Sequence, residues 1–269
     1  MRAEGLLLVG CGKMGSAMLA GWMASDAAPR PILVVEPSPA PGTIPDGVTC
    51  VADPAALPAG FHPAVVILAT KPQVMDAVVP HYARFAGPDT LFVSIAAGRT
   101  LASFTAQLGA GAAIIRSMPN TPAQIGRGIT VGCANAHVSA AQRSLADRLL
   151  AAIGEVDWVA DEAMIDAVTA VSGSGPAYAF LLAECMAEAG RAAGLPDALA
   201  TRLARATVAG AGELLHRAPE SAAQLRRNVT SPNGTTAAAL AVLMAPDGLQ
   251  PLMTRAVAAA ADRSRELAG

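Results

Sequence analysis

The sequence predicts an α/β protein in two parts, a mostly parallel sheet domain over residues 1–158 and an all-α domain over 159–269. Three observations carry this. Six short apolar runs spread over the first 134 residues read as strands buried on both faces. A glycine cluster follows the first run directly and opens a helical stretch. Near residue 160 the strand-like runs stop, and Ala- and Leu-rich helical segments take over.

The runs are LLLVG (6–10), ILVVE (32–36), AVVILAT (64–70), LFVSIAAG (91–98), AAIIRSM (112–118) and GITVGCA (128–134). The segments between them can hold crossover helices, SAMLAGWMASD being the first, so the pattern is a βαβ series. The second half reads as EAMIDAVTAVSG, PAYAFLLAECMAEAGRAAG, PDALATRLARATVAGAGELLH, SAAQLRRNV, TTAAALAVLMA and GLQPLMTRAVAAAADRSREL. Gly-Leu-Pro at 194–196 and Ala-Pro at 218–219 break it between helices.

Bulk composition narrows the function. Apolar residues are 53% and charged residues 15%, so small apolar side chains must lie on the surface or in interfaces. With 3% aromatics and a net charge of -2, neither stacking platforms nor a basic patch for nucleic acid is expected. The cysteines Cys11, Cys50, Cys133 and Cys185 lack metal-site or redox spacing, so no metal site is expected and a reducing, cytoplasmic setting fits. Arg2 followed by LLLVGC resembles a lipoprotein signal ending at Cys11. Glu4 and an apolar run that stops by Lys13 argue against it. No run is long enough for a membrane span.

Gly10-Cys11-Gly12-Lys13-Met14-Gly15 is GxGxxG between a strand and a helix, the context in which this motif holds a dinucleotide. The domain is therefore Rossmann-like. The helix N-terminus would offer free N–H groups to phosphate oxygens. Glu36 closes the second run, where a carboxylate bonds adenosine ribose hydroxyls and repels a 2′-phosphate. No Lys or Arg falls between Arg30 and Lys71, so NADH or dual use is favoured over strict NADPH dependence, without excluding NADPH. The chain has two lysines, Lys13 in the glycine loop and Lys71 in ATKP after the third run. Ligands of open α/β sheets bind at such carboxyl ends. SIAAG (94–98) and RSMPNTP (116–122) end two further runs, the first with small residues that let a flat ring lie close, the second with a rigid Pro loop. SGSGPAY (172–178) breaks a helix and shapes a cleft floor.

TSPNGTT (230–236) is the most polar break in the helical half. A helix cap needs one hydroxyl. The surplus of hydroxyls before a helix start points to a bound anion.

Taken in order, GCGKMG, ATKP, SIAAG, RSMPNTP, SGSGPAY and TSPNGTT closely resemble the pyrroline-5-carboxylate reductase family along nearly the whole chain. Asn233 stands where that family usually has the first glycine of the last loop; Asn tolerates left-handed backbone. The resemblance implies a C-terminal domain that dimerises through interlocking helices, with dimers forming decamers in many members. It implies that Gly10, Cys11, Gly12, Lys13, Met14, Gly15 and Glu36 line NAD(P)H, together with Ala69, Thr70, Lys71, Pro72, Ala96, Ala97 and Asn228. It further implies that Glu162, Ser231, Gly234, Thr235 and Thr236 surround 1-pyrroline-5-carboxylate, part of the site coming from the partner subunit.

None of His62, His81, His137 and His216 falls in a motif, so no usual general acid is visible. The expected chemistry is reduction of an already protonated cyclic imine to L-proline, with Thr236 hydrogen-bonded at the ring nitrogen as the catalytic contact. Two other readings share the layout: another NAD(P)H-dependent cyclic imine reductase, and a β-hydroxyacid-dehydrogenase-like enzyme. The latter uses a lysine on the first long helix of the second domain, and PAYAFLLAECMAEAGRAAGL has none. A non-catalytic dinucleotide sensor would need the first domain but not the hydroxyl loop.

Overall fold

The computed structural model describes residues 4–268. The apolar runs form one sheet of β1 (Leu6–Val9), β2 (Ile32–Val35), β3 (Thr49–Val51), β4 (Val65–Leu68), β5 (Leu91–Ser94), β6 (Ala113–Met118), β7 (Gly128–Ala134) and β8 (Gly154–Trp158). Their order is β3-β2-β1-β4-β5-β6-β7-β8. Every pairing is parallel except β6 with β7. That exception follows from chain length: the link from Met118 to Gly128 is shorter than the roughly dozen residues a parallel crossover needs.

Strand residues alternate strictly between two cores. Leu6, Leu8, Ile32, Val34, Ile67 and Val93 face one side, packed with Trp22 and Leu149. These come from α1 (Lys13–Met23) and α4 (Ala140–Ala151). Leu7, Val9, Leu33, Val66, Phe92 and Ile114 face the other side with Tyr82 and Phe104, the latter from α3 (Leu101–Leu108). Each fully buried large apolar side chain stabilises by about 1.5–3 kcal/mol, which explains why continuous apolar runs were required. Trp22 is fully buried, and its indole N–H donates to the Leu149 carbonyl at 2.8 Å.

Two strands lack the apolar signal. β3 is a three-residue edge strand, and β8 alternates between half-buried and exposed positions. Crossovers are also leaner than the expected helices. No helix separates β2 from β3, and the β4–β5 link holds only α2 (Met75–Val78) between 3-10 turns, where Pro80 removes a donor. The lipoprotein-like stretch is β1 and its loop, with Cys11 3% exposed; Arg2 lies outside the described residues.

The chain divides into two compact units, Met1–Gly173 with Ala260–Gly269, and Ser174–Ala259. Helical sequence starts near 160, but α5 (Met164–Val168) packs Ile165 onto Val131 and Cys133 of β7. Residues up to 173 therefore stay with the sheet.

The second unit holds α6 (Gly175–Ala192), α7 (Asp197–Arg217), α8 (Ala222–Asn228), α9 (Thr235–Leu243) and most of α10 (Leu249–Ala268). Pro176 sits in the first turn of α6, and Gly194 at φ 95 follows its end. The α6–α7 pair closes through small side chains: Gly190 lies against Ala200, and a methyl there would stand 3.3 Å from Ala200 Cβ. Among the described residues of this unit, Ala187, Ala200 and Ala204 are the buried ones. Phe180 is 64% exposed, Leu214 62% and Val242 72%. Apolar surface on this scale marks a protein–protein interface.

Candidate active site

One candidate site, within the sheet unit, lies at the carboxyl ends of β1, β4 and β5. The chain reverses direction across the sheet between β1 and β4, the switch point where open α/β sheets bind ligands. Three glycines build the cradle for three different reasons. Gly10 has φ 89, and a methyl on it would stand 2.8 Å from the Ala69 carbonyl oxygen. Gly15 lets α1 close onto the loop, since its Cβ would meet the Gly10 oxygen at 2.5 Å. Gly12 has nothing within 4 Å of where a Cβ would be. The fold does not need a glycine there, and the absence of a side chain leaves the backbone open to a ligand.

Gly12 is the N-cap of α1 and provides no side-chain cap, so the first-turn amides remain available. Thr70 Oγ1 is buried without a hydrogen-bond partner at the end of β4. An open cleft of ≈ 340 Å³ runs past Lys13, Ser16, Ala17 and Gln124. The open Gly12 face, the orphan hydroxyl and the uncapped helix all fit a dinucleotide phosphate chain.

Glu36 follows β2 and turns back to the loop. Its Oε2 accepts from the Cys11 amide at 2.8 Å and its Oε1 from the Ser38 amide at 3.1 Å. The carboxylate thus shapes the glycine turn. Burial, with Glu36 and Cys50 nearby, pushes the Cys11 thiol from 9.0 up to about 11, so it stays neutral at physiological pH. Lys13 and Lys71 are both exposed, Lys71 as N-cap of the Pro72–Val74 turn; Met14 is half-buried. Ala96 is buried and Ala97 half-buried after β5, with the Ala96 amide donating to Ser94 Oγ at 3.2 Å. Asn228 belongs to the other compact unit, at the end of α8, where its Oδ1 accepts from Gln224.

Glu162 lies with the sheet unit. Its Oε1 accepts from the Leu101 amide at 2.8 Å and from Arg116 Nη1 at 2.9 Å. Arg116, buried on β6, also pairs with Asp166 at 3.5 Å, and Ser264 Oγ donates to Asp166 at 2.7 Å. The sequence reading assigned no role to Arg116, although a lone charge inside AAIIRSM is a visible signal.

A separate candidate site, contained in the helical unit, is the loop before α9. Ser231 to Gly234 form a turn, the Gly234 amide donating to the Ser231 carbonyl at 3.1 Å. Pro232 takes its second position and Asn233 its third, at φ 56. Asn233 is the one non-glycine residue at positive φ among the described residues, so it does adopt the left-handed backbone expected of it. Gly234 is the N-cap of α9, and no side chain caps the helix. Thr230 spends its hydroxyl on the Arg226 carbonyl. Ser231, Thr235 and Thr236 therefore surround an uncapped helix start, and the capping explanation for the hydroxyls fails.

A doubly wound sheet with a dinucleotide cradle, followed by an apolar helical unit bearing an anion-ready helix end, defines an NAD(P)-dependent oxidoreductase that self-associates. Residues 162–267 match the family model "Pyrroline-5-carboxylate reductase dimerisation", and residues 6–98 match "NADP oxidoreductase coenzyme F420-dependent". Pyrroline-5-carboxylate reductase from Synechocystis is 42% identical over 263 residues, 97% of both chains; that from Pseudomonas aeruginosa is 50% identical over 204 residues, 76% of this chain and 74% of the relative. The solved Coxiella burnetii reductase superposes with a TM-score of 0.87 at 32% identity, covering 100% of each chain. The Plasmodium falciparum pyrroline carboxylate reductase, solved with NADP bound, gives 0.81 at 26%, again covering 100% of each. The chain belongs to the pyrroline-5-carboxylate reductase family.

Proposed function

We propose that this protein reduces 1-pyrroline-5-carboxylate to L-proline with NAD(P)H, the final step of proline synthesis. The observation that carries the reading is the α9 N-terminus, which gathers three hydroxyl side chains and uses none of them as a cap. A ring carboxylate gains about 1.5–3 kcal/mol from each hydrogen bond to it and about 0.3–1 kcal/mol from the helix dipole. Two or three such bonds from Ser231, Gly234, Thr235 and Thr236 orient the ring.

When bound, the reduced dinucleotide supplies hydride to the C=N carbon. Gly10, Cys11, Gly12, Lys13, Met14 and Gly15 hold its phosphates, with Glu36 at the adenosine ribose and Ala69 to Pro72, Ala96, Ala97 and Asn228 along the remainder. Thr236 donates no base chemistry; its hydroxyl holds the ring nitrogen, which enters already protonated. Glu162 stands at the substrate side with its inner oxygen engaged by Arg116. In domain terms, 1–158 binds the dinucleotide, while 159–269 binds substrate and dimerises. The exposed apolar faces of α6, α7 and α9 support self-association as a dimer, with a decamer as the larger assembly. No helix among the described residues is long and apolar enough to cross a membrane, and a cytoplasmic location is part of the proposal. Absence of lysine from α6 weighs against a β-hydroxyacid dehydrogenase.

A steady-state assay of NADH and NADPH oxidation with 1-pyrroline-5-carboxylate tests this, alongside Thr236→Ala. Thr236→Ala should lose turnover. Full activity with normal substrate affinity in that variant removes Thr236 from its role.

A further inference from the structure

Arg116 is one of two charged residues among the buried set of the described chain; the other is its partner Asp166. Its side chain is 3% exposed, on a strand whose other residues are apolar or small. A buried guanidinium retains its charge and needs carboxylate partners. It has two. Nη1 reaches Glu162 Oε1 at 2.9 Å, and Nη2 stands 3.5 Å from Asp166 Oδ1. Nε and Nη2 have no further hydrogen-bond partner, so the group depends on this pair.

What Glu162 does with the same oxygen matters more. Oε1 also accepts the Leu101 amide at 2.8 Å. Leu101 is the first residue of α3, directly after the β5 loop Ile95–Thr100. Thr100 caps α3 at Ser103, and Glu162 takes a second first-turn amide. A distant carboxylate, itself steered by a strand-borne arginine, thus fixes the end of the loop that carries Ala96 and Ala97. Leu267 backs the loop at Gly98, where φ is 66 and an added methyl would stand 2.9 Å from Leu267 Cβ. Asp166 and Ser264 fasten α10, the helix that carries Leu267, to the same arginine.

We propose that Arg116 and Glu162 are positioning residues that set the β5–α3 loop under the nicotinamide half of the dinucleotide. This rests on the reading that Ala96 and Ala97 line that half. The sheet order supports the assignment: Glu36 follows β2 on one side of the β1–β4 switch point, and the β5 loop lies on the other. The adenosine half therefore lies away from Arg116, and the nicotinamide half lies toward it.

That division gives a readout independent of imine reduction. Binding of NADH and of ADP-ribose, which lacks the nicotinamide, is measured for the wild type, Arg116→Met and Glu162→Gln. Glu162→Gln keeps an acceptor for Leu101 and, being at a partly exposed site, guards against loss of folding. Both variants should bind ADP-ribose as the wild type does and bind NADH more weakly. With substrate, kcat should fall by about 100-fold in Arg116→Met, as expected for misplacement near 1 Å. Arg116→Lys should recover part of the loss. Equal weakening of both ligands, or unchanged NADH affinity with a lowered melting temperature, would overturn the assignment and leave a structural ion pair. Normal NADH and ADP-ribose behaviour in a wild-type protein that reduces no cyclic imine would instead refute the proposed reaction.

Discussion

Gly12→Ala separates the demands of a ligand from the demands of the fold. At Gly12, φ is -71 and ψ is -163, a conformation open to any L-residue, and the added methyl meets no atom within 4 Å. Relief of unfolded-state entropy stabilises such a change by about 0.4–1 kcal/mol, while alanine at an N-cap costs about as much. The melting temperature should therefore stay near that of the wild type. On the proposed cofactor site the dinucleotide should behave otherwise, because the methyl would stand where a phosphate is to approach the loop. Losing one hydrogen bond to a charged group costs about 1.5–3 kcal/mol, or roughly 10- to 100-fold in affinity. Gly15→Ala is the contrast. Its methyl would stand 2.5 Å from the Gly10 oxygen, so backbone must move, and overpacking of this kind costs about 1–3 kcal/mol in stability. Fluorescence titration with NADH and thermal melts read both effects. Wild-type affinity in Gly12→Ala, or a melting loss matching that of Gly15→Ala, would refute the cradle reasoning.

Three further outcomes are expected. Asn233→Gly should preserve activity, whereas Asn233→Ala forces a methyl-bearing residue to φ 56 at a cost of about 1–2 kcal/mol and should raise the KM for the imine more than the KM for NADH. Glu36→Gln should shift the kcat/KM ratio toward NADPH, because it removes repulsion of a 2′-phosphate; strong NADPH preference in the wild type would contradict the role given to Glu36. Burial pushes the Cys11 thiol from 9.0 up to about 11 in the fold, so its contribution to stability is complete below pH 9 and is lost as pH rises toward 11. Denaturant melts across that range should show a decline that Cys11→Ala lacks.

Much of the architecture was legible because it depends on repeated local signals. Strands buried on both faces must be apolar throughout, and six of the eight announced themselves that way. β3 and β8 did not, since a three-residue edge and a half-exposed strand bury too little to leave a run. The GxGxxG loop and the α9 break were visible because glycine, proline and hydroxyl residues are conspicuous in an Ala-rich chain. What remained hidden was long-range. Nothing local says that Glu36 bonds the Cys11 amide 25 residues away. Nor does anything local join Arg116 to Glu162, or Asp166 to Ser264 across 98 positions. The helical segments read well one by one. The packing that holds residues 159–173 to the sheet depends on Ile165 meeting Val131 and Cys133, a tertiary contact with no sequence period.

The most direct test compares 1-pyrroline-5-carboxylate with 1-pyrroline, the same ring without its acid group, as substrates under NADH. If the α9 end grips a carboxylate with two bonds of about 1.5–3 kcal/mol each, kcat/KM should be at least about 100-fold higher for the acid. That gap should shrink in Ser231→Ala and Thr235→Ala. Equal turnover of the two rings would contradict the claim that this helix start exists to hold the acid.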